Sequence, residues 1–331
     1  MTTGIGGLML HLWVIAGGTL IVTALLTTMA RRYLLSILSC FGPAARQRFV
    51  WFIAALPWML GLIAALLTLV PSVGHALGVV ADHCHTHGNL HGHLCWFHPP
   101  EFVWISWKGL CAVMLIGITA WKATTSSIRL WKQRNHLRAL LAFADRESDG
   151  SYILDSKIPS AFTAGLVAPK ILLSKSLVTA LNEQELRIVQ RHEQVHQQRR
   201  DPLKLWIFNL LISVFLPAAR RDLYNALELS MEQTVDAEVA KFDDPATVAT
   251  TLVKVNRLNL RYLKQQHADA AMCSFVAAAV EERIQQLLKT NKGRRFPWGS
   301  FLVSLAIVMA AAVYYADGLH HVVETFLHNH P

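Results

Sequence analysis

His192 and His196 stand four positions apart, with Glu193 beside the first, in the run His192-Glu193-Gln194-Val195-His196. On a helix that spacing points both imidazoles from one face, about a turn apart, so the pair can bind a single zinc ion. Glu193 would then sit within reach of a water at the open position of the ion. Zinc acidifies such a water, and a neighbouring carboxylate can take its proton as the water attacks a scissile carbonyl. This is the chemistry of peptide hydrolysis. A His-x-x-x-His pair also arises by chance on charged helix faces, so the reading needs a third ligand.

That ligand should come from a helix packed against the first. The stretch Ala219–Lys241 carries Glu228, Glu232 and Asp236 at i, i+4 and i+8, along one helical face. Glu232 is the expected zinc ligand, with Asp236 a turn further on as a carboxylate that orients a ligand imidazole. Asp201 is a second such carboxylate. The bland alternative is a solvated acidic stripe, with Asp201 serving only to stop a helix.

The elements that must hold these residues are readable in outline. Asn182 followed by Glu185 forms a capping-box pattern opening a helix that runs to about Arg200, where Asp201-Pro202 stops it. Residues 122–147 read as a basic amphipathic helix, and Asp149-Gly150 marks a turn. Tyr152–Leu154 and Lys170–Leu173 are β-type runs separated by Pro159, Gly165 and Pro169, which predicts a small sheet or hairpin. Leu205–Leu216 is apolar but too short to span a bilayer, and Pro217 breaks it. Residues 246–265 and 276–290 read as amphipathic helices.

The setting is a membrane. Of 331 residues 53% are hydrophobic and 16% charged. Leu8–Ala30, Val50–Val70, Phe102–Trp121 and Trp298–Ala316 each have about the twenty apolar residues that a transmembrane helix needs. Tyr33, Trp51, Trp121, Trp298 and Tyr315 lie at their ends as interfacial anchors. The first span lacks a basic start and is too long for a secretory signal, so it reads as retained. Segment 122–297 holds 26 of the 31 Lys and Arg, segment 31–49 holds four, and segments 72–101 and 317–331 hold none. Positive charge faces the cytoplasm, which puts 31–49 and 122–297 inside and both termini outside, in a bacterial-type inner membrane. The expected domains are thus 1–121 with three spans, a cytoplasmic peptidase over 122–297, a fourth span over 298–316 and an outer tail. The fold class is a mainly α membrane protein with a zincin-like (gluzincin) α+β peptidase region and a small β-sheet. Basic charge beside a bilayer favours anionic lipid as partner and gives no reason to invoke nucleic acid.

Taken in order, these features resemble the BlaR/MecR antirepressor family of membrane zinc metallopeptidases. Ala161-Phe162-Thr163-Ala164-Gly165 and Pro169-Lys170-Ile171-Leu172-Leu173 look like the segment ahead of its catalytic helix. His192-Glu193-Gln194-Val195-His196, then Arg199-Arg200-Asp201, an apolar stretch and Glu232-Gln233-Thr234-Val235-Asp236 follow at its spacing. The resemblance runs from the first span to about residue 316. It implies His192, His196 and Glu232 as zinc ligands, Glu193 as general base and Asp236 behind the ligands. It also implies that a strand ahead of the catalytic helix pairs with an extended substrate, and the candidate edge is Lys170, Ile171, Leu172 and Leu173. Cleavage of a cytoplasmic regulator such as a transcriptional repressor, or self-cleavage at Ser274-Phe275, would follow, with a homodimer allowed. The chain departs from the pattern in two places. Ser160-Ala161 stands where the family commonly has proline. Only about fifteen residues follow the last span, with no outward Ser-x-x-Lys, so sensing through a penicillin-binding domain is not expected.

Eleven of the sixteen histidines fall on the outer side. His83, Cys84, His85, His87, His91, His93 and Cys95 crowd one loop, and imidazole with thiolate suits zinc, copper or nickel. A second transition metal sensed there is one expectation; a solvated loop tied by a Cys84–Cys95 disulfide is the other. Two further functions compete with a signalling peptidase. One is a membrane quality-control zinc protease, and the other is a non-catalytic metal-responsive membrane protein.

Overall fold

The computed structural model describes residues 4–38, 40–70, 73, 77, 102–265, 270–289 and 297–314. Its helices α1 (Ile5–Leu38), α2 (Pro43–Leu67) and α3 (Trp107–Ala142) are long and apolar enough to cross a membrane, and they mark a membrane protein. The stretch expected as a fourth span, 298–316, holds a helix, α10 (Trp298–Tyr314), of 17 described residues. That makes roughly 25 Å of helix, a little under a hydrocarbon core. A Cβ on Gly61 of α2 would lie 2.7 Å from the carbonyl oxygen of Ala16, so only glycine permits this close approach to α1.

The chain divides into two compact units. One gathers Met1–Ala30, Ala55–Ser126 and Phe296–Pro331; the other gathers Arg31–Ala54 with Ser127–Arg295. The inclusion of Arg31–Ala54 in the second unit is a feature that a boundary at 121/122 does not anticipate.

The second unit holds a four-stranded mixed sheet. Its strands are β1 (Ala144–Arg146), β2 (Tyr152–Leu154), β3 (Ala161–Ala164) and β4 (Lys170–Ser174), in the spatial order β1-β2-β4-β3. β1 and β2 are antiparallel, β2 and β4 parallel, and β3 and β4 antiparallel with Thr163 opposite Ile171. Two expectations are corrected here. The basic helix ends at Ala142, and residues 144–146 form an edge strand. Lys170, Ile171, Leu172 and Leu173 do not form an open edge: β4 is bonded on both sides, and β1 and β3 carry the two edges among the described strands. The physical reason is burial, since Ile171, Leu172 and Leu173 are all buried, with side chains on both faces of the sheet.

Gly165 turns β3 into β4 with φ of +111°, where a Cβ would sit 3.0 Å from the Ala168 carbonyl oxygen. Ser160, at a position where proline is expected from the resemblance, uses the N–H that proline lacks. It donates to Ser174 Oγ at 2.9 Å, and that hydroxyl also caps helix α4 (Lys175–Ala180) by accepting from Leu177.

Helix α5 (Glu183–Arg199) opens with the predicted capping box: Asn182 and Glu185 each accept the other's backbone N–H at 2.8 Å. It ends on Arg200, which has φ 53°. A left-handed non-glycine residue costs about 1–3 kcal/mol. The turn it makes starts α6 (Asp201–Leu211) at once, without a loop. A short 3₁₀ turn follows at Ile212–Val214, then α7 (Pro217–Val239), α8 (Pro245–Gln265) and α9 (Ala270–Leu288). Two apolar clusters fix α5 in place. Val189 packs with Ile171, Leu173, Leu177 and Leu181 on the sheet side, and Ile188 packs with Val235, Val239 and Val248 against α7 and α8. Burial on both flanks leaves the His192–His196 face of α5 turned to α7.

Candidate metal centre

That packing brings His192, His196 and Glu232 together, with one ligand atom from each lying within 4.8 Å of the others. The two Nε2 atoms are 3.1 Å apart, and each is 3.3 Å from an oxygen of Glu232. A tetrahedral zinc bound at about 2.0–2.1 Å by three such atoms would separate them by about 3.3 Å. The donor set therefore fits zinc in both chemistry and spacing.

Both Nδ1 atoms face away from this point, each toward its own carboxylate. His192 Nδ1 is 3.2 Å from Asp236 Oδ1, and His196 Nδ1 is 2.9 Å from Asp201 Oδ2. Carboxylates in those places hold the proton on Nδ1 and leave the Nε2 lone pairs for a metal. The carboxylates are held in turn. Arg283 of α9 grips Asp236 with two donors at 2.8 Å and lies 3.0 Å from Glu232. Lys204 and Arg199 flank Asp201 at 2.9 and 3.6 Å.

The protonation equilibria follow this wiring. Burial opposes charge on His196, but its hydrogen bonds to Asp201 and Glu232 prevail and push its pKa up to about 10. His192 is also raised, against burial, by Asp236 and Glu232. Burial would raise Glu232, yet the Arg283 guanidinium and the two imidazoles hold it well below the usual carboxylate range. Asp236 and Asp201 are depressed against burial in the same way, by Arg283 with His192 and by His196 with Lys204 respectively. A divalent ion must displace protons from both imidazoles, so binding releases protons.

Glu193 lies on the adjoining face of α5 and is largely buried. Its Oε2 is 2.8 Å from the Thr163 hydroxyl of β3, which can donate there or to the Glu193 carbonyl oxygen at 3.0 Å. One carboxylate oxygen is thus oriented from the edge strand β3, leaving the other for a reacting water.

The expected ligands, the general base and both supporting aspartates all converge. Glu228 does not join them; it is exposed, one turn before Glu232. The Ser274–Phe275 bond lies within α9, away from any extended segment. The outer histidines and cysteines at 83–95 fall outside the described residues, and with them the Cys84–Cys95 pairing. Sequence reasoning missed Arg283, Thr163 and the cations behind Asp201. Thr163 carried a usable signal, since it lies in the segment ahead of the catalytic helix. Arg283 carried none, sitting after Glu281 and Glu282 on an amphipathic helix like any solvated residue.

A comparison with protein-family models matches residues 131–331 to peptidase family M48. The chain belongs to peptidase family M48. It is by family a zinc metallopeptidase, and the match spans both histidines, Glu193, Glu232 and Arg283. Comparisons with curated proteins and with solved structures gave no match.

Proposed function

We propose that this M48 chain is an integral-membrane zinc endopeptidase that acts on the cytoplasmic side, cutting a repressor-like regulator or itself in transmembrane signalling. The observation that carries the reading is the convergence of His192, His196 and Glu232, beside an oriented Glu193, in a chain with three span-length helices. The cytoplasmic placement rests on the distribution of Lys and Arg, and the signalling role on the ordered resemblance to the antirepressor family.

Zinc in this centre supplies a Lewis acid for water and for the scissile carbonyl. The chain does the rest. Glu193, steadied by Thr163, takes a proton from the attacking water and returns it to the leaving amine. β3, with its free main-chain groups, is the edge on which an extended substrate can add as a further strand. That role passes to Ala161–Ala164 from the interior strand β4. Self-cleavage at Ser274-Phe275 would require the helix there to unwind first, because a strand-adding substrate is extended. The outer histidine loop remains the proposed sensor, reading a transition metal.

A second reading has one observation in its favour. Edge-strand addition discriminates little among side chains, which suits a quality-control protease that cuts any extended membrane-protein segment. The test of the shared chemistry uses the full chain in detergent with zinc and a quenched fluorescent peptide. Glu193→Gln should keep its zinc while turnover falls by about 10²–10⁴-fold. Undiminished cleavage by that variant would sink the assignment. A single site cut in a candidate repressor favours signalling, whereas cleavage of any unfolded chain favours quality control.

A further inference from the structure

The facing ends of α1 and α2, with the turn between them, belong with the peptidase unit, and among the described residues four side-chain contacts help hold them there. Arg31 Nε donates to Asp222 of α7 at 3.0 Å, and Trp51 packs edge-on against Phe208 of α6 with centroids 5.2 Å apart. Val50, Ile53 and Ala54 beside that contact are buried. The other two contacts end next to the metal centre. Arg46 Nη1 lies 3.5 Å from Oε1 of Gln233, the neighbour of Glu232, and Gln233 donates to the carbonyl of Glu282, the neighbour of Arg283. Gln47 Oε1 accepts from Arg199 Nη2 at 3.2 Å. Arg199 Nε in turn lies 3.6 Å from Asp201, whose other oxygen holds His196 Nδ1 at 2.9 Å.

We propose that Gln47 is a positioning residue of the metal centre, lent by the membrane-helix turn and acting on His196 through Arg199 and Asp201. The inference rests on the zinc-peptidase reading and adds a dependence to it: the site is complete only while the turn is docked. The wiring gives the reason. Arg199 is a long, rotamer-rich side chain at the end of α5, and a guanidinium fixed at one nitrogen presents the other in one direction. Without Gln47 it swings toward solvent, and Asp201 keeps only Lys204. His196 then loses part of what fixes its ring and its tautomer. The effect is graded, since Lys204 remains. Arg46 Nε is buried with no hydrogen-bond partner among the described residues, and an unfilled buried donor weakens the docked state. The test measures the coupling directly.

The experiment loads the full chain with zinc in detergent and follows zinc loss to excess chelator, alongside kcat and KM on a peptide. Gln47→Leu should speed zinc loss about tenfold, the lower end of what removing an outer partner does to metal affinity. It should lower kcat with KM unchanged. Gln47→Glu, which keeps an acceptor for Arg199, should stay within about twofold of the unaltered chain. In an Arg199→Leu background, Gln47→Leu should add nothing, because the route is already cut. Equal acceleration in both backgrounds, or none in the otherwise unaltered chain, overturns the proposal. An unaltered chain that retains zinc but cleaves nothing overturns the peptidase reading instead.

Discussion

His196 is held from close by, whereas His192 is held from far along the chain, and the two arms differ in how they could fail. On the near arm, Asp201 lies just past the end of α5 and is steadied by Lys204 and Arg199, two half-exposed cations. On the far arm, Asp236 of α7 is almost wholly buried, Arg283 of α9 is mostly buried, and Arg283 also reaches Glu232. Both arms do the same work, setting an imidazole's tautomer and aim. The near arm sits beside water and beside the membrane-helix turn. Its parts can be exchanged and adjusted. The far arm is an ionic cluster whose cation, Arg283, is less exposed than Lys204 or Arg199 of the near arm. One centre thus combines a rigid half with an adjustable half, and any control of the enzyme should enter through the second.

The sharpest way to break this contrast is Arg283→Met. It removes the guanidinium that Glu232 and Asp236 share and leaves only the imidazoles beside them, and removing one partner of a buried ion pair costs up to about 3–5 kcal/mol. Chemical unfolding of the full chain in detergent should show a loss of that size, with zinc content falling as well. A change below about 1 kcal/mol would mean that Arg283 behaves as a surface residue.

Asp236→Asn and Asp201→Asn compare the arms directly. Outer-partner changes cost about 10–100-fold in metal affinity or activity. The far-arm variant should fall near the top of that range and the near-arm variant near the bottom, as read from zinc competition with a chromophoric chelator. Equal losses, or the reverse order, would remove the distinction between the halves.

The pH dependence should be gradual. In the metal-free chain the pKa of His196 rises from 6.5 to about 10 on folding. A raised pKa contributes stability that is fully present below 6.5 and is lost as pH climbs through about 10. The metal-free chain should therefore weaken progressively across that window. The zinc-loaded chain should not, because its imidazoles are already neutral. Unfolding midpoints of both forms between pH 6.5 and 10 check this, and parallel slopes would contradict it.

Much of the centre was legible because its rules are local. The His-x-x-x-His spacing, the Asn182–Glu185 cap and the i, i+4 step from Glu232 to Asp236 each declare themselves within a few residues. Sheet order does not. Pairing between β2 and β4 crosses β3 in sequence, and only packing decides which short strand ends outermost. A clue was still present: Ile171-Leu172-Leu173 is an unbroken apolar run, the mark of a strand buried on both faces, whereas Ala161–Ala164 alternates with a polar threonine. Residues 144–146 read as helix because basic helical periodicity continues into them. Arg283 and the docking of Arg31–Ala54 depend on tertiary neighbours that no window of sequence contains.

The proposed centre is three side chains sharing one zinc ion. Metal content of the purified full chain, measured beside His192→Ala and His196→Ala prepared identically, tests this most directly. The unaltered chain should hold one more zinc per molecule than either variant, and the difference should vanish when the two substitutions are compared with each other. Equal zinc in all three preparations would contradict the assignment of the centre.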